Sequence, residues 1–367
     1  MTQIFGSCNR YIQGYGELKN IKKHTEWMGK NFLIVASKNR LRDLKDLIVS
    51  AFGGAASLSF SEFGGECSWD EIHKLENEAL NCGAEVIVGI GGGKIADTVK
   101  VTAHTRNLKL VIVPTIAASD ASTSAASLIY KGGVVEEVLN FAKSPELVLV
   151  DTEVLIKAPV RFFVAGMGDA LSTYVGAKVC QDNYYNNHFS AKGTHTGLAI
   201  AKLSYDMLLR LGRQAKIAAE ARAVSYAYNA IVEVNILMSG LGFENNGSTS
   251  DHSFYFGTLG LPGREEYVYH GEGVAFSTCC QMIMQGAESE DLDEVYRFCR
   301  DVGLPITFDD MHLYNLSAEE MDLITKEALR QPFITKHPFE VSYEKVYGAY
   351  KTADSIGKLY KSGGTLL

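Results

Sequence analysis

The chain has 367 residues, of which 46% are hydrophobic and 21% are charged, as is typical of a globular protein with one large domain or two ordinary ones. Its formal net charge is −8 at pH 7. This charge argues against a nucleic-acid partner and against an anionic membrane surface, because both select basic proteins.

The first part of the chain alternates short apolar runs with helical patterns. Strands are predicted at residues 31–37, 57–63, 85–93, 109–115 and 147–152. Helices are predicted between them, at residues 40–52 and 69–82. Continuous apolar strands separated by helices indicate a parallel sheet covered on both faces, so we expect an α/β domain over residues 1–160.

After residue 160 the strand patterns end and long helical patterns follow. Residues 158–180 and 194–212 carry apolar side chains at helical spacing. Ser317, followed by Glu320, is a predicted capping box that begins another helix. Residues 242–250, GFENNGSTS, are predicted to form a loop. We therefore expect a second, all-α domain over residues 161–367.

A glycine-rich run, GIGGGK at residues 89–94, follows a predicted strand and precedes a helical pattern. Glycines let backbone N–H groups approach a phosphate closely, and the following helix directs its positive end to the same place. The run is not a Walker A loop, because no Ser or Thr follows Lys94, and Lys94 also replaces the third glycine of the standard dinucleotide fingerprint. The alternative is a tight strand-to-helix turn without a ligand.

Five segments together resemble the iron-containing alcohol dehydrogenase superfamily, and in particular its glycerol dehydrogenase branch. In chain order they are GIGGGKIADTVK (89–100), PTIAASDASTSAASLIY (114–130), APVRFFVAGMGDAL (158–171), SGLGFENN (239–246) and YHGEGVAF (269–276). The resemblance covers nearly the whole chain. It implies an N-terminal dinucleotide-binding α/β domain, an all-α metal-binding C-terminal domain and an active site between them.

Three side chains from distant stretches are candidate metal ligands: Asp169, His252 and His270. Two imidazoles and one carboxylate are a common ligand set for Zn²⁺ or Fe²⁺ that leaves a coordination position for substrate. Taken alone, each histidine could equally be a core or surface residue. In the resemblance the three positions match the family's metal ligands one by one, which implies a bound metal. We expect Zn²⁺, with Fe²⁺ as the alternative.

The resemblance also implies contacts to a nicotinamide cofactor. The residues at the pyrophosphate would be Gly92, Gly93 and Lys94, and those along the rest of the cofactor would be Thr115, Ser124 and Tyr130. The alternatives are turn hydrogen bonds for the two hydroxyl residues and a core position for the tyrosine.

Asp120 matches the family aspartate that contacts substrate. A carboxylate there can accept a hydrogen bond from a second substrate hydroxyl, which would favour diols over simple alcohols. The alternative is a turn or helix-cap role, since aspartate favours both.

Two departures from the family pattern affect these expectations. Relatives commonly carry an Asp after the first strand, where it holds the adenosine ribose; here Ser37 takes that place, and Lys38 and Arg40 could pair with a 2′-phosphate. We therefore expect that NADP is accepted as well as NAD, unless the two cations are simply solvated. The second departure follows His252, where Tyr255 replaces a second histidine and would share its helix face.

The function implied is hydride transfer between a small vicinal diol, such as glycerol or 1,2-propanediol, or the matching hydroxyketone, and NAD(P). Alternatives in the superfamily are a hydroxycarboxylate dehydrogenase, a glycerol-1-phosphate dehydrogenase, for which Arg264 is the candidate phosphate partner, and a dehydroquinate-synthase-like lyase. A non-catalytic binding protein is a further alternative, which the intact metal triad disfavours.

The location and assembly of the protein are expectations too. Seven cysteines without a C-x-x-C pair, and an N-terminus without a basic and apolar leader, favour a reducing, cytoplasmic compartment. No apolar run reaches the roughly 18 residues of a membrane helix. Family members tend to be homo-oligomers, so we expect one here.

Overall fold

A computed structural model of the chain describes residues 2–261 and 267–367. Packing divides the chain into two compact units. The α/β unit comprises Gly6–Pro159 and Arg222–Val224, and the helical unit comprises Val160–Ala221, Ser225–Leu367 and the N-terminal segment through Phe5. Hydrogen bonds explain why this terminal segment joins the helical unit: the Gln3 side chain donates to the Gly193 carbonyl, and Asn187 donates to the carbonyl of Ile4.

The α/β unit alternates strands with helices. In chain order its elements are β1 (Arg10–Gly14), a 3₁₀ turn (Glu17–Asn20), α1 (Ile21–Thr25), β2 (Asn31–Ala36), α2 (Lys38–Phe52), β3 (Ser57–Glu62), α3 (Trp69–Asn81), β4 (Val86–Gly91), α4 (Gly93–Arg106), β5 (Lys109–Pro114), β6 (Ala126–Lys131), β7 (Val134–Asn140), β8 (Leu147–Asp151) and α5 (Thr152–Leu155).

Six of these strands form one parallel sheet in the order β1-β8-β5-β4-β2-β3. Alternate residues of the central strands face opposite sides, as strand geometry requires. Phe32 and Ile34 belong to a core cluster that includes Phe52 of α2, whereas Leu33 and Val35 belong to a second cluster on the other side. The predicted parallel sheet, covered on both faces, is therefore confirmed.

Two strand features were not predicted from the sequence. β1, whose residues are exposed or only partly buried, pairs in parallel with β8 at the sheet edge, and β6 and β7 form a separate antiparallel hairpin. Strand β1 has no continuous apolar run, and the hairpin follows a polar stretch, so neither carries the pattern of a buried parallel strand.

The helical unit has no strand among the residues described, apart from isolated bridges. Its elements in chain order are α6 (Val160–Asp182), α7 (His195–Glu220), α8 (Tyr226–Glu233), a π turn (Val234–Met238), α9 (Ser239–Asn246), α10 (Ser250–Leu259), α11 (His270–Met284), α12 (Ser289–Val302), a 3₁₀ turn (Asp309–Met311), α13 (Ala318–Arg330), a second 3₁₀ turn (Pro332–Thr335) and α14 (Tyr343–Lys361). The predicted capping box is present, since Ser317 and Glu320 exchange side-chain and backbone hydrogen bonds.

The prediction of a loop at residues 242–250 is wrong for most of its length. Residues up to Asn246 are helical, and only a short connection at Gly247, whose φ is +96°, separates α9 from α10. The polar side chains that suggested a loop are buried inside the unit, where Asn245 donates to the Leu241 carbonyl of its own helix and Asn246 donates to Gln181 of α6. One local and one tertiary acceptor thus replace the water that these two side-chain amides usually need.

Within the residues that the structure describes, none of the helices is both long enough and apolar enough to cross a membrane.

Candidate metal and cofactor sites

The three candidate ligands converge in the helical unit. Asp169 lies on α6, His252 on α10 and His270 begins α11, and one donor atom from each lies within 4.8 Å of the others. Nε2 of His270 is 3.4 Å from Oδ1 of Asp169. Two donors held by one tetrahedral cation at about 2.1 Å lie roughly 3.4 Å apart, so this spacing suits a shared metal ion. Asp169 is buried, and both histidines are partly exposed.

Two glycines next to the ligands explain how this convergence arises. Gly168 precedes Asp169 and Gly271 follows His270. A Cβ at Gly271 would lie 1.8 Å from the Ala165 carbonyl oxygen, and a Cβ at Gly168 would lie 2.2 Å from the Gly271 carbonyl oxygen. Helices α6 and α11 therefore touch backbone to backbone, which only glycine permits. This close approach brings the carboxylate and the imidazole together.

An ion pair fixes the start of α11. Nε and Nη2 of Arg161 donate to the two carboxylate oxygens of the buried Glu272, at 2.6 and 2.8 Å. Glu272 in turn accepts a hydrogen bond from the backbone amide of Tyr269, at 2.8 Å, directly before His270. A bidentate pair of this kind is geometrically specific, so it holds the first turn that carries His270. This ion pair was not predicted from the sequence, although Arg161 and Glu272 lie inside two of the five segments that resemble the family.

Tyr255, at the position of the second departure, packs directly on a candidate ligand. Its ring is buried and meets the His270 ring edge-on, with centroids 5.2 Å apart. A Cβ at Gly273 would lie 2.1 Å from the Tyr255 ring, so that glycine makes room for it. Phe256 lies further away, 6.4 Å from the His252 ring. The aromatic replacement thus forms one wall beside His270.

In the α/β unit, three of the candidate cofactor residues follow neighbouring strands. Ser37 comes after β2, Gly92 after β4 and Thr115 after β5, and the registers pair Ala36 with Ile90 and Gly91 with Pro114. The amide of Thr115 donates to the Gly91 carbonyl. Strands β2 and β4 are neighbours in the sheet, but the connection after β2 leads to β3 on one side and the connection after β4 leads to β5 on the other side. Ligands of open parallel sheets bind where two neighbouring connections diverge in this way.

The glycines of the GIGGGK run have two separate roles. A Cβ at Gly89 would lie 2.6 Å from Val99, and a Cβ at Gly91 would lie 2.3 Å from Ile95, so both allow α4 to pack closely on β4. Gly92 is the N-cap of α4 and Gly93 its first residue, where amide groups are exposed to a ligand. The strand-turn-helix prediction is confirmed, and Gly92 and Gly93 are the two glycines that lie at the start of α4.

Lys94 and Tyr130 lie together, with Nζ of Lys94 5.1 Å from the Tyr130 ring centroid. Lys94 is exposed and Tyr130 is half-buried. Burial raises the pKa of Tyr130 above its ordinary value, so the phenol stays neutral.

Ser124 has a structural partner that the sequence did not reveal. Its Oγ accepts a hydrogen bond of 3.2 Å from Nζ of Lys100, which also pairs with Asp97 at 3.0 Å and bonds to the Ala126 carbonyl. Lys100 and Asp97 are both buried, and burial raises the pKa of Asp97 although Lys100 opposes the shift. The pair anchors the segment before β6.

Asp120 lies in a turn. Its carbonyl accepts hydrogen bonds from the amide and the hydroxyl of Thr123. The residue is partly buried, and it belongs to the α/β unit, whereas the three candidate ligands belong to the helical unit.

Known proteins resemble this chain in both sequence and fold. Residues 8–152 match the iron-containing alcohol dehydrogenase family. The glycerol dehydrogenase of Citrobacter freundii is 36% identical, with 98% of this chain and 99% of that protein covered. The glycolaldehyde reductase of Halobacterium salinarum is 34% identical at 98% and 99% coverage. The crystal structure of glycerol dehydrogenase from Schizosaccharomyces pombe has a TM-score of 0.94 at 30% identity, covering 99% of this chain and 94% of that one.

The full-length similarity to glycerol dehydrogenases, in sequence and in structure, shows that the chain is an oxidoreductase of the polyol dehydrogenase class. The chain belongs to the iron-containing alcohol dehydrogenase family, in its glycerol dehydrogenase branch. The family resemblance inferred from the five motifs and the fold class are thus both confirmed.

Proposed function

We propose that the chain is a metal-dependent polyol dehydrogenase that oxidises a small vicinal diol, such as glycerol or 1,2-propanediol, to the hydroxyketone while reducing NAD(P). The observation that carries the proposal is the convergence of Asp169, His252 and His270 from three helices. The full-length similarity to a glycerol dehydrogenase and to a glycolaldehyde reductase supports a small hydroxylated substrate in either direction of reaction.

The donor set fits a divalent cation with borderline-soft character. One carboxylate and two imidazoles are the ligands of many zinc sites that keep a position open, and we propose Zn²⁺ with Fe²⁺ as the alternative. Such a cation supplies Lewis-acid chemistry, which lowers the pKa of an alcohol at the site. The protein's part is to hold the three donors rigidly, through the glycine contact of α6 with α11 and the Arg161–Glu272 pair.

The remaining residues would select and orient the two reactants. Asp120 would accept a hydrogen bond from the second hydroxyl of the diol, and Tyr255 would limit the space beside His270. The amides of Gly92 and Gly93, with the nearby Lys94, would bind the cofactor pyrophosphate at the start of α4. Thr115, Ser124 and Tyr130 would contact the rest of the cofactor.

NADP is proposed as an accepted cofactor because of the end of β2. Ser37 precedes α2 without a carboxylate, Lys38 is exposed, and Nη1 of Arg40 is 3.9 Å from Asp43, a distance at which it can still turn to a phosphate. No acid at residues 37–40 repels a 2′-phosphate.

The decisive experiment is an activity panel of diols, hydroxyketones and hydroxyacids with NAD and NADP, before and after chelation. We expect reduced cofactor to accumulate with vicinal diols, activity to disappear on chelation, and Zn²⁺ to restore it. Activity that survives complete metal removal would overturn the proposal. A lyase would give product without net reduced cofactor, and a phosphorylated substrate would point to Arg264, which lies outside the described residues.

We also propose a cytoplasmic location and a homo-oligomeric assembly. All seven cysteines are free thiols, and six of them are buried, which suits a reducing compartment. Light scattering of the purified chain measures the assembly directly.

A further inference from the structure

The helix that carries His252 has a second acidic side chain directly before it. Oδ2 of Asp251 lies 2.7 Å from Nδ1 of His252, which is the distance of a charge-assisted hydrogen bond. Asp251 is 1% exposed, whereas the His252 side chain is 21% exposed. The carboxylate therefore lies behind the imidazole, on its buried side.

A separate contact holds Asp251 in place. Its backbone amide donates to Oε1 of Gln281, at 2.6 Å, and the hydroxyl of the preceding Ser250 donates to the same oxygen, at 3.2 Å. Gln281 lies on α11, the helix that begins with His270. The start of α10 is thus tied to the helix that supplies another candidate ligand.

The second carboxylate oxygen shows that Asp251 is not stabilised by an extensive network of donors. Oδ1 of Asp251 is buried and accepts no hydrogen bond from any of the described residues, 2–261 and 267–367. Burying a carboxylate with a single side-chain donor is costly, since both oxygens lose water. A role that depends on the contact with His252 accounts for keeping it.

We propose that Asp251 is a positioning residue that orients His252 for the metal. This inference rests on the proposed metal site. By accepting a hydrogen bond from Nδ1–H, the carboxylate fixes the tautomer and the rotation of the imidazole, and the lone pair is then on Nε2, directed away from Asp251. A negative partner on Nδ1 also makes the opposite nitrogen a stronger donor to a cation.

A competing explanation is purely structural. Asp251 lies in the first turn of α10, where an acidic side chain stabilises the helix through its dipole. This explanation predicts that replacing Asp251 lowers thermal stability but leaves the affinity for metal unchanged. The two explanations therefore differ in a quantity that does not depend on enzyme activity.

The experiment compares the full chain with its Asp251→Ala and Asp251→Asn variants by zinc competition with a chromogenic chelator at fixed pH. Ser253→Ala is the matched control, because Ser253 follows His252, is equally buried, and its Oγ has no hydrogen-bond partner among the described residues. Melting temperatures of the metal-free proteins report any loss of folding separately.

We expect Asp251→Ala to raise the zinc dissociation constant about 10- to 100-fold, the usual effect of removing a carboxylate behind a ligating histidine. Asp251→Asn should raise it less, since the amide oxygen still accepts the Nδ1 hydrogen, and it remains informative if the alanine variant does not fold. Ser253→Ala should not change it. Equal affinity in wild type and both Asp251 variants overturns the inference, whereas a wild type that binds no zinc overturns the proposed function itself.

Discussion

The two units of the chain place their candidate functional residues by different means. In the α/β unit, Ser37, Gly92 and Thr115 lie near one another because parallel strands end at a common edge of the sheet. This arrangement does not depend on which side chains the three positions carry. In the helical unit, Asp169, His252 and His270 meet only because three helices pack at close range. The first arrangement follows from backbone geometry, and the second depends on individual contacts such as Gly271 against Ala165. Single substitutions should therefore damage the metal site more easily than the cofactor site.

The largest effect is expected from Gly271→Ala. Its Cβ would lie 1.8 Å from a backbone oxygen of α6, so the helices must separate and His270 must move away from Asp169. Overpacking of this kind costs roughly 1–3 kcal/mol or more. Chemical denaturation should show the lost stability, and metal analysis should show a chain that no longer retains zinc.

Gly348→Ala is the control for that change. Gly348 lies within α14, its φ is not in the left-handed region, and a Cβ there would meet no atom of another described part of the chain within 4 Å. Alanine should be neutral or stabilise the helix by roughly 0.5–1 kcal/mol. If Gly271→Ala retained zinc as well as Gly348→Ala does, close helix contact would not be what assembles the ligands.

A smaller effect is expected from Gly93→Ala at the cofactor site. The added Cβ would lie 3.5 Å from the Ala121 Cβ, an ordinary contact, so the fold should tolerate it. The same methyl group would stand beside the amides proposed to bind the pyrophosphate, so NAD should bind on the order of tenfold more weakly, or about 1.4 kcal/mol. Fluorescence titration with NADH measures this, and melting temperature and zinc affinity should stay unchanged. Unaltered NADH binding would remove these amides from the site.

Ser37→Asp tests cofactor choice. A carboxylate after β2 restores the residue type that holds the ribose hydroxyls and repels a 2′-phosphate. Two like charges placed side by side in a binding site cost up to several kcal/mol, so we expect kcat/KM with NADP to fall about tenfold or more. The value of kcat/KM with NAD should stay the same or rise. A wild type that already prefers NAD strongly would contradict the premise, and the variant would then change nothing.

A last effect concerns acid stability. Burial lowers the pKa of His337 from 6.5 to about 4. The unfolded chain therefore binds a proton at His337 at a higher pH than the folded protein does. As a result, the free energy of unfolding falls as the pH drops from 6.5 towards 4. Below pH 4 the histidine is protonated in both states, and the free energy of unfolding no longer changes through His337. His337→Gln should lose less stability between pH 7 and pH 5 in urea unfolding. Identical losses in both proteins would show that His337 contributes nothing.

The sequence predicted the central strands and the glycine turn because each leaves a local pattern of apolar runs and breaks. It did not predict β1, whose place at the sheet edge is determined by pairing with β8 rather than by its own residues. The three ligand positions came from the family resemblance, since nothing in their spacing brings Asp169 near His270. Asp251 was missed because its role depends on the side-chain orientation that brings its carboxylate to Nδ1 of the adjacent His252. The Arg161–Glu272 pair was missed because it forms only once α6 and α11 are in contact.

The proposed function requires that one divalent cation is held jointly by Asp169, His252 and His270. Crystals of the zinc-loaded protein, measured on both sides of the zinc absorption edge, test it directly. We expect one anomalous peak in contact with all three side chains, with Nε2 rather than Nδ1 of His252 facing it. Density in which the three side chains point apart, with no anomalous peak between them, would contradict it.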